Sequence, residues 1–258
     1  MDTRPADDVH VELTREGVAV VEMRRPPNNF FDVDLIRTLA DTYAALDADP
    51  ACRAIVLCSE GKHFCAGADF GGGGTRGGTA TGDLYAEAVR LFETATPVVA
   101  AVQGAAIGGG LGLACSADFR VAGPRARFAA SFARLGFHHG FGLTVTLPDI
   151  VGRQHSLELL LTGRRIGGEA AAEIGLCDRL VEQDEVRSAA TALAAEIAGG
   201  APLAVTSIRQ TMRGDLATRV RTSLDREGSE QDRLRRTADW AEGIRASAER
   251  RDPTFTGR

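Results

Sequence analysis

The chain has 258 residues, 44% of them hydrophobic and 25% charged, which is ordinary for one large soluble domain with or without an extension. Its formal net charge of −5 gives no electrostatic reason to bind nucleic acid or an anionic membrane, so neither partner is expected. The first ten residues carry three aspartates and no apolar core, unlike a secretory signal or a transit peptide, so a cytoplasmic location is expected.

Strand and helix signals alternate in the first part of the chain. Residues 9–13 and 18–23 are apolar or alternating around a Glu-Gly pair, which predicts a hairpin-like pair of strands. Pro26 and Pro27 end the second strand, because proline lacks the N–H donor and fixes φ. Asp32 is a candidate N-cap for a helix whose apolar side chains recur at helical spacing, namely Leu35, Leu39, Tyr43 and Leu46.

A further apolar strand at residues 54–58, the third in chain order, leads into a turn of small residues, Cys65-Ala-Gly-Ala-Asp69. Residues 71–82 follow with almost no apolar side chains, so they can bury little surface. That composition agrees with a lid that becomes ordered when a ligand binds, and equally with a disordered loop that has no role in binding. Residues 84–94 then have the pattern of a helix.

The most informative stretch is a strand at residues 97–102, three glycines at 108–110, and an apolar helix through Cys115. Such a glycine run implies positive φ or a close approach of another group. The first N–H groups of a helix lack intrahelical acceptors and carry partial positive charge, so this turn is suited to a developing oxyanion. The alternative is a turn that only lets the helix pack closely on the sheet. Neither G-x-G-x-x-G nor G-x-x-x-x-G-K-[ST] matches here.

The remainder predicts short strands, a short helix and then long helical patterns, at residues 119–122, 126–128, 157–161, 186–197, 203–212 and 216–244. Strands that alternate with helices, followed by helices alone, indicate an α/β core with an all-α extension. We place the core at residues 1–195 and the extension at 196–258. The five cysteines show no C-x-x-C spacing and are predicted to be buried hydrophobes, and no metal site is predicted.

The two turns together resemble those of the crotonase superfamily, the enoyl-CoA hydratase/isomerase family. The resemblance covers nearly the whole chain and includes Arg24-Arg-Pro-Pro-Asn28 and Leu160-Leu-Thr-Gly163. It implies the spiral, ClpP-like crotonase fold of repeated ββα units. It also implies a homotrimer, or a dimer of trimers, built partly on the last helices.

The resemblance implies an acyl-CoA thioester as the substrate, with coenzyme A as part of it and no tightly bound cofactor. The thioester oxygen would lie between the N–H groups of Ala68 and Gly109, two catalytic groups. Contacts with the coenzyme A portion are expected from four residues, Arg25, Ala66, Asp69 and Phe70.

The proton carriers depart from the family pattern. The two glutamates of hydratases correspond to Gly112 and Phe132, and a third acid position corresponds to Gly140. His139 matches a position where other branches carry aspartate or tyrosine, and His138 lies beside it. Histidine has an ordinary pKa near neutrality, so either can serve as acid or base. Neighbouring side chains of an extended loop point to opposite sides, so we expect one histidine to face the pocket, and the match to the family selects His139.

The sequence therefore predicts an acyl-CoA-processing enzyme, a hydratase by similarity. An isomerase, hydrolase, decarboxylase or C–C lyase that uses His139 remains an alternative, as does an acyl-CoA binder without catalysis. A further alternative is that both histidines are structural groups that satisfy backbone atoms. A nucleotide-dependent oxidoreductase is disfavoured because the glycine run does not match the dinucleotide-binding motif G-x-G-x-x-G.

Overall fold

The computed structural model of the chain describes residues 8–68 and 81–258. Within those residues the strands β1 to β9 are, in chain order, Val9–Leu13, Val18–Met23, Ala54–Ser59, Val98–Val102, Ala105–Ile107, Phe119–Ala122, Arg127–Ala129, Arg165–Gly167 and Arg179–Leu180. The helices α1 to α9 of the same residues are Val33–Asp47, Thr81–Glu93, Gly109–Ser116, Leu143–Thr162, Gly168–Glu173, Val186–Ala198, Pro202–Arg213, Leu216–Leu234 and Ala238–Glu249. The predicted alternation of strands and helices, followed by helices alone, is confirmed.

The larger sheet has the strand order β1-β2-β3-β4-β6-β9, and the smaller sheet has the order β5-β7-β8. β1 and β2 are antiparallel, as the hairpin pattern predicts, whereas β2, β3, β4 and β6 run parallel to one another. Parallel neighbours end at the same edge of a sheet. The segments that follow β3 and β4, which contain the two predicted turns, therefore begin side by side.

The central parallel strands β3 and β4 are apolar apart from Ser59, because both faces of the sheet are covered there. On one face, Leu57 of β3 packs into the main core with Leu39 of α1. On the other face, Val56 and Val99 pack against Leu193 of α6. This arrangement fixes the strand ends, and hence the turns that follow them, in a rigid core.

The first helix begins as predicted. The Asp32 carboxylate accepts a hydrogen bond from the N–H of Leu35 at 2.9 Å, which satisfies one of the free donors at the helix start. The apolar face that includes Leu39 and Tyr43 is buried.

Two helical predictions need correction. Only residues 157–161 were expected to be helical in the region that α4 occupies, yet α4 spans Leu143–Thr162. Its first half is interrupted by Pro148 and by Gly152, whose φ of 75° and ψ of 163° are not helical, and this hides the pattern. The pattern at 216–244 is divided into α8 and α9, because Thr237 caps a new helix by accepting from the N–H of Trp240.

The described part of the chain contains no single helix of sufficient length and apolarity to cross a membrane. In that part, only the helix pair Gln183–Ala198 and Pro202–Arg213, bent by 107°, reaches this length and apolarity when the two are taken together. In residues 8–68 and 81–258, no group of three or more His, Cys, Asp or Glu side chains is placed to hold a metal ion.

Candidate active site

The two turns predicted from the sequence lie directly beside each other. The N–H of Cys65 donates to the carbonyl of Ala105 at 2.8 Å, and the N–H of Ile107 donates to the carbonyl of Cys65 at 3.0 Å. A Cβ added at Gly110 would lie 2.1 Å from the Cys65 carbonyl oxygen. Only glycine allows the two backbones to approach this closely. The glycine run therefore does allow close packing, which was the alternative interpretation of this stretch.

The same turn carries backbone donors without acceptors. The N–H groups of Leu111 and Gly112 both donate to the carbonyl of Gly108, at 3.1 and 3.2 Å. Those of Gly109, Gly110 and Ala68 find no acceptor within residues 8–68 and 81–258. Gly109 and Gly110 lie at the start of α3, where the helix dipole adds to the donors, so their N–H groups are suited to an anionic oxygen.

Aromatic side chains enclose this turn. The rings of Phe31 and Phe141 lie 5.4 Å apart, and both are buried. A Cβ at Gly109 would lie 2.3 Å from Cζ of Phe31, and one at Gly108 would lie 3.7 Å from Cζ of Phe132. Apolar rings lower the local dielectric constant, and hydrogen bonds to a developing charge are stronger there.

At two of the positions where the resemblance implies acids, neighbouring side chains occupy the space. A Cβ at Gly112 would lie 2.6 Å from Cβ of Phe141. A Cβ at Gly140 would lie 1.9 Å from the hydroxyl oxygen of Tyr85. Neither position can hold a carboxylate unless these neighbours move.

His139 is part of a chain of polar groups. Its Nε2 atom lies 2.8 Å from Oγ1 of Thr144, which donates to Oε1 of Glu227 at 2.5 Å. Burial, and secondarily the charge on His138, lowers the pKa of His139 to about 4, so the imidazole is neutral at neutral pH. Burial raises the pKa of Glu227, against the hydrogen bonds that it accepts.

His138 contacts the backbone instead. Its Nδ1 atom lies 2.8 Å from the carbonyl oxygen of His139, and a carbonyl only accepts, so Nδ1 carries the hydrogen. The two rings stack with centroids 4.1 Å apart, so the expectation that they point to opposite sides is wrong. The physical reason is that each ring is held separately, His139 by Thr144 and His138 by a carbonyl.

The last helices hold the loop that carries the histidines. Gln231 of α8 donates to the carbonyl of His138 at 3.0 Å and accepts from the hydroxyl of Tyr85 at 2.9 Å. Trp240 of α9 packs against Phe137 with ring centroids 4.5 Å apart. The region expected as an extension at 196–258 thus contacts the candidate site.

Sequence analysis missed four residues of this cluster, Tyr85, Thr144, Glu227 and Gln231. One signal was available for two of them. Val220, Leu224, Glu227 and Gln231 recur at helical spacing and are all buried, so two polar groups lie on the buried face of α8. A polar residue on such a face requires a hydrogen-bond partner.

The residues expected to contact coenzyme A are only partly described. The Arg25 guanidinium lies 2.6 Å from a carboxylate oxygen of Asp8 and 2.8 Å from one of Asp32. The N–H of Ala66 donates to the carbonyl of Asn28 at 2.9 Å, which ties the Pro-Pro loop to the first turn. Asp69 and Phe70 lie outside the described residues, as does most of the 71–82 segment. These contacts stay predictions.

Cys65 is not suited to act as a nucleophile. It is fully buried, and burial raises the pKa of its thiol to about 12. The thiolate is the reactive form, so a cysteine with so high a pKa is inert at neutral pH. Cys52, Cys58, Cys115 and Cys177 are buried and free as well, which confirms the prediction for all five.

Comparison with known proteins gives consistent results along the whole chain. Residues 13–258 match the family model described as enoyl-CoA hydratase/isomerase. A protein named probable enoyl-CoA hydratase from Rhodobacter capsulatus is 34% identical, over 94% of this chain and 96% of its own. Carnitinyl-CoA dehydratase from Escherichia coli O157:H7 is 32% identical, over 96% of this chain and 98% of its own.

Solved structures agree. An enoyl-CoA hydratase/isomerase from Pseudoalteromonas atlantica superposes with a TM-score of 0.87 at 29% identity, over 97% of this chain and all of that one. An enoyl-CoA hydratase from Mycobacterium avium subsp. paratuberculosis gives a TM-score of 0.85 at 26% identity, over 98% of this chain and all of that one.

Proposed function

The chain belongs to the enoyl-CoA hydratase/isomerase family, and from that premise we propose that it moves a proton at the α-carbon of an acyl-CoA thioester with His139 as the base. The predicted crotonase fold is confirmed by the likeness to solved members of the family. The chain is thus an enzyme of the lyase or isomerase type, and its substrates are CoA thioesters. The specific reaction, the oxygen-binding groups and the base are our proposal.

One observation carries the proposal. Residues 112, 132 and 140 have no ionisable group, and the space for a side chain at Gly112 and Gly140 is taken by Phe141 and Tyr85. His139 lies in the same loop as Phe141 and is neutral near pH 7, which is the state that a base requires. A single base supports a proton shift, whereas the addition of water by the hydratase route uses two carboxylates.

The proposed oxyanion hole consists of the N–H groups of Ala68 and Gly109. Their support is the contact between the two turns and the lack of an acceptor for either donor in the described parts of the chain. In the step that they would assist, the Cα–H bond of the thioester breaks and the proton moves to an imidazole nitrogen of His139. The electron pair moves onto the thioester oxygen, where two donors stabilise the enolate. Return of the proton to Cα, or to Cγ of an enoyl chain, completes the reaction.

A panel of butyryl-CoA, 3-butenoyl-CoA, phenylacetyl-CoA and crotonyl-CoA in deuterated water tests the proposal. We expect deuterium at the α-carbon, and conversion of 3-butenoyl-CoA to crotonyl-CoA, read by mass spectrometry and chromatography. Absence of exchange in all four, or fast formation of 3-hydroxybutyryl-CoA from crotonyl-CoA, would contradict it. Binding of coenzyme A thioesters without any turnover would favour a binder without catalysis.

Hydration of crotonyl-CoA is expected to be slow, because each missing acid or base typically costs ~10²–10⁴-fold. We expect Gly112→Glu to lower the melting temperature and to give no hydratase activity, since its Cβ would lie 2.6 Å from Cβ of Phe141. The double variant Gly112→Glu with Phe141→Ala provides room for the carboxylate, and Phe141→Ala alone is its control. A stable single variant with restored hydration would show that Phe141 does not block the position.

We also propose that the chain forms the trimer that the resemblance implies. The supporting surface lies on α7, where Ile208 and Met212 are one turn apart with 64% and 81% of their surface exposed. A stable soluble surface seldom leaves such side chains uncovered side by side. α7 itself is fixed by Arg209 and Arg213, which pair with Asp118 at 2.8 and 2.7 Å.

Light scattering is expected to give a mass that is a multiple of three chains. Ile208→Asp combined with Met212→Asp should lower that mass, because two buried charges would disfavour the interface. Gln210→Asp is the matched control, since this exposed residue lies on the other side of α7 and should leave the mass unchanged. A monomeric wild-type protein at micromolar concentration would contradict the proposal.

A further inference from the structure

A carboxylate from the C-terminal region is buried beneath the loop that carries His139. The Glu227 side chain is 0% exposed, and it lies 83 residues along the chain from Thr144, with which it pairs. Its oxygens accept from the N–H of Gly142 at 2.9 Å, the N–H of Thr144 at 3.0 Å and the Thr144 hydroxyl at 2.5 Å. A buried carboxylate is costly unless several donors surround it, and here three do.

The pattern of donors fixes which atom of His139 carries hydrogen. An ionised Glu227 only accepts, so the single hydroxyl hydrogen of Thr144 is used toward it. Oγ1 of Thr144 can then only accept from Nε2 of His139, which lies 2.8 Å away. Nε2 therefore carries the imidazole hydrogen, and Nδ1 keeps its lone pair.

α8 also holds the neighbouring part of the loop. Gln231 lies one helical turn after Glu227 and donates to the carbonyl of His138 at 3.0 Å. The His138 ring stacks on the His139 ring, so the imidazole is restrained on its face as well as at Nε2. Two residues of one helix thus hold both histidines, and this limits rotation of the His139 ring.

We propose that Glu227, acting through the hydroxyl of Thr144, is a positioning residue that holds His139 in the Nε2–H tautomer and so presents Nδ1 as the base. This inference rests on the proposed role of His139 in proton transfer. When Nδ1 takes the proton from Cα, the imidazolium forms 4.0 Å from the Glu227 carboxylate, which stabilises the positive charge. Without the hydroxyl, both tautomers would be populated and only one would have a free Nδ1.

The test combines nitrogen-15 NMR of the histidine side chains in the unliganded protein with turnover. Thr144→Val removes the hydroxyl at nearly constant shape, and Thr144→Ser retains one. Thr146→Val is the matched control. Thr146 lies in the same helix as Thr144, but its hydroxyl donates to the carbonyl of Gly142, at 3.1 Å, and not to the His139 side chain. Histidine signals are assigned by comparison with His139→Gln.

In the wild type we expect one His139 tautomer, protonated at Nε2. Thr144→Val should give mixed tautomers and lower kcat about tenfold, the scale of one hydrogen bond, with little change in KM. Thr144→Ser should recover the single tautomer and most of kcat, and Thr146→Val should resemble the wild type. Glu227→Gln should disturb the tautomer too, because the carboxylate accepts with both oxygens, whereas the glutamine amide has a single acceptor oxygen and turns an NH2 donor toward one of these three donors.

The outcomes separate this inference from the proposed function. An unchanged tautomer in Thr144→Val overturns the inference even if His139→Ala is inactive. Mixed tautomers with undiminished kcat overturn the positioning role. Full turnover in His139→Ala rejects the proposed function, and with it the catalytic part of the inference, while the NMR result still decides whether Thr144 and Glu227 fix the tautomer.

Discussion

Replacing His139 by alanine is expected to lower turnover of an acyl-CoA thioester by ~10²-fold or more, the range typical of a lost general base. The other positions where the resemblance implies acids hold Gly112, Phe132 and Gly140, whose side chains cannot exchange a proton. Binding of coenzyme A should change little, because the imidazole contacts the acyl end in the proposed arrangement. The measurement is α-carbon deuterium exchange together with kcat and KM.

His138→Ala is the matched control for this change. It removes an imidazole from the same loop, but one whose Nδ1 is hydrogen-bonded to the carbonyl of His139 at 2.8 Å. Loss of this bond should loosen the loop and lower turnover a few-fold only. Circular dichroism and thermal melting must show that both variants fold. A larger loss in His138→Ala than in His139→Ala would contradict the proposal and would identify His138 as the base.

The pH profile gives a second readout of the same residue. The pKa of His139 is lowered to about 4, first by burial and then by His138. The base form is the neutral one, so kcat/KM should stay level as pH falls from 8 and should decrease only as pH approaches 4. Glu227 is the carboxylate that faces the ring, at 4.0 Å, and burial raises its own pKa. A fall in rate centred near 6.5 would indicate a solvated histidine instead.

The sequence was sufficient for those parts of the site that depend on local backbone. Two strands that each end in a turn of small residues were visible from the sequence. The parallel order of β3 and β4 then brings Cys65 and Ile107 into hydrogen-bond contact. A glycine run at a helix start predicts free backbone donors from the residues alone, whereas the choice of Gly109 among them came from the family resemblance and stays a prediction.

The sequence was insufficient where contacts join distant segments. Glu227 meets Thr144 only because α8 packs beside α2 and α4, and no local pattern fixes the register of that packing. The obstruction at Gly112 is of the same kind, since Phe141 reaches it from another element with a φ of 61°, a left-handed conformation unusual for phenylalanine. The sequence shows that positions 112 and 132 are not glutamates, but it does not show that Phe141 occupies the space beside Gly112.

Gly109→Pro is expected to lower turnover by ~10²–10³-fold, the cost seen when one oxyanion donor is removed. Proline has no N–H, and Gly109 is the first residue of α3, the helix position where proline is best tolerated. The helix should therefore form, and the change removes the N–H donor. The enolate would then keep Ala68 as its remaining proposed donor.

The structure also identifies a complication of this change and the control for it. Any Cβ at position 109 would lie 2.3 Å from Cζ of Phe31, so proline must displace that buried ring. Gly109→Ala introduces the same Cβ and keeps the N–H, so the ratio of turnover between the two variants cancels the effect of the Cβ and leaves that of replacing the N–H by the proline ring. Both can be repeated with Phe31→Leu, which relieves the contact. Equal turnover in the alanine and proline variants, both folded by circular dichroism, would exclude the Gly109 N–H as a donor to the thioester oxygen.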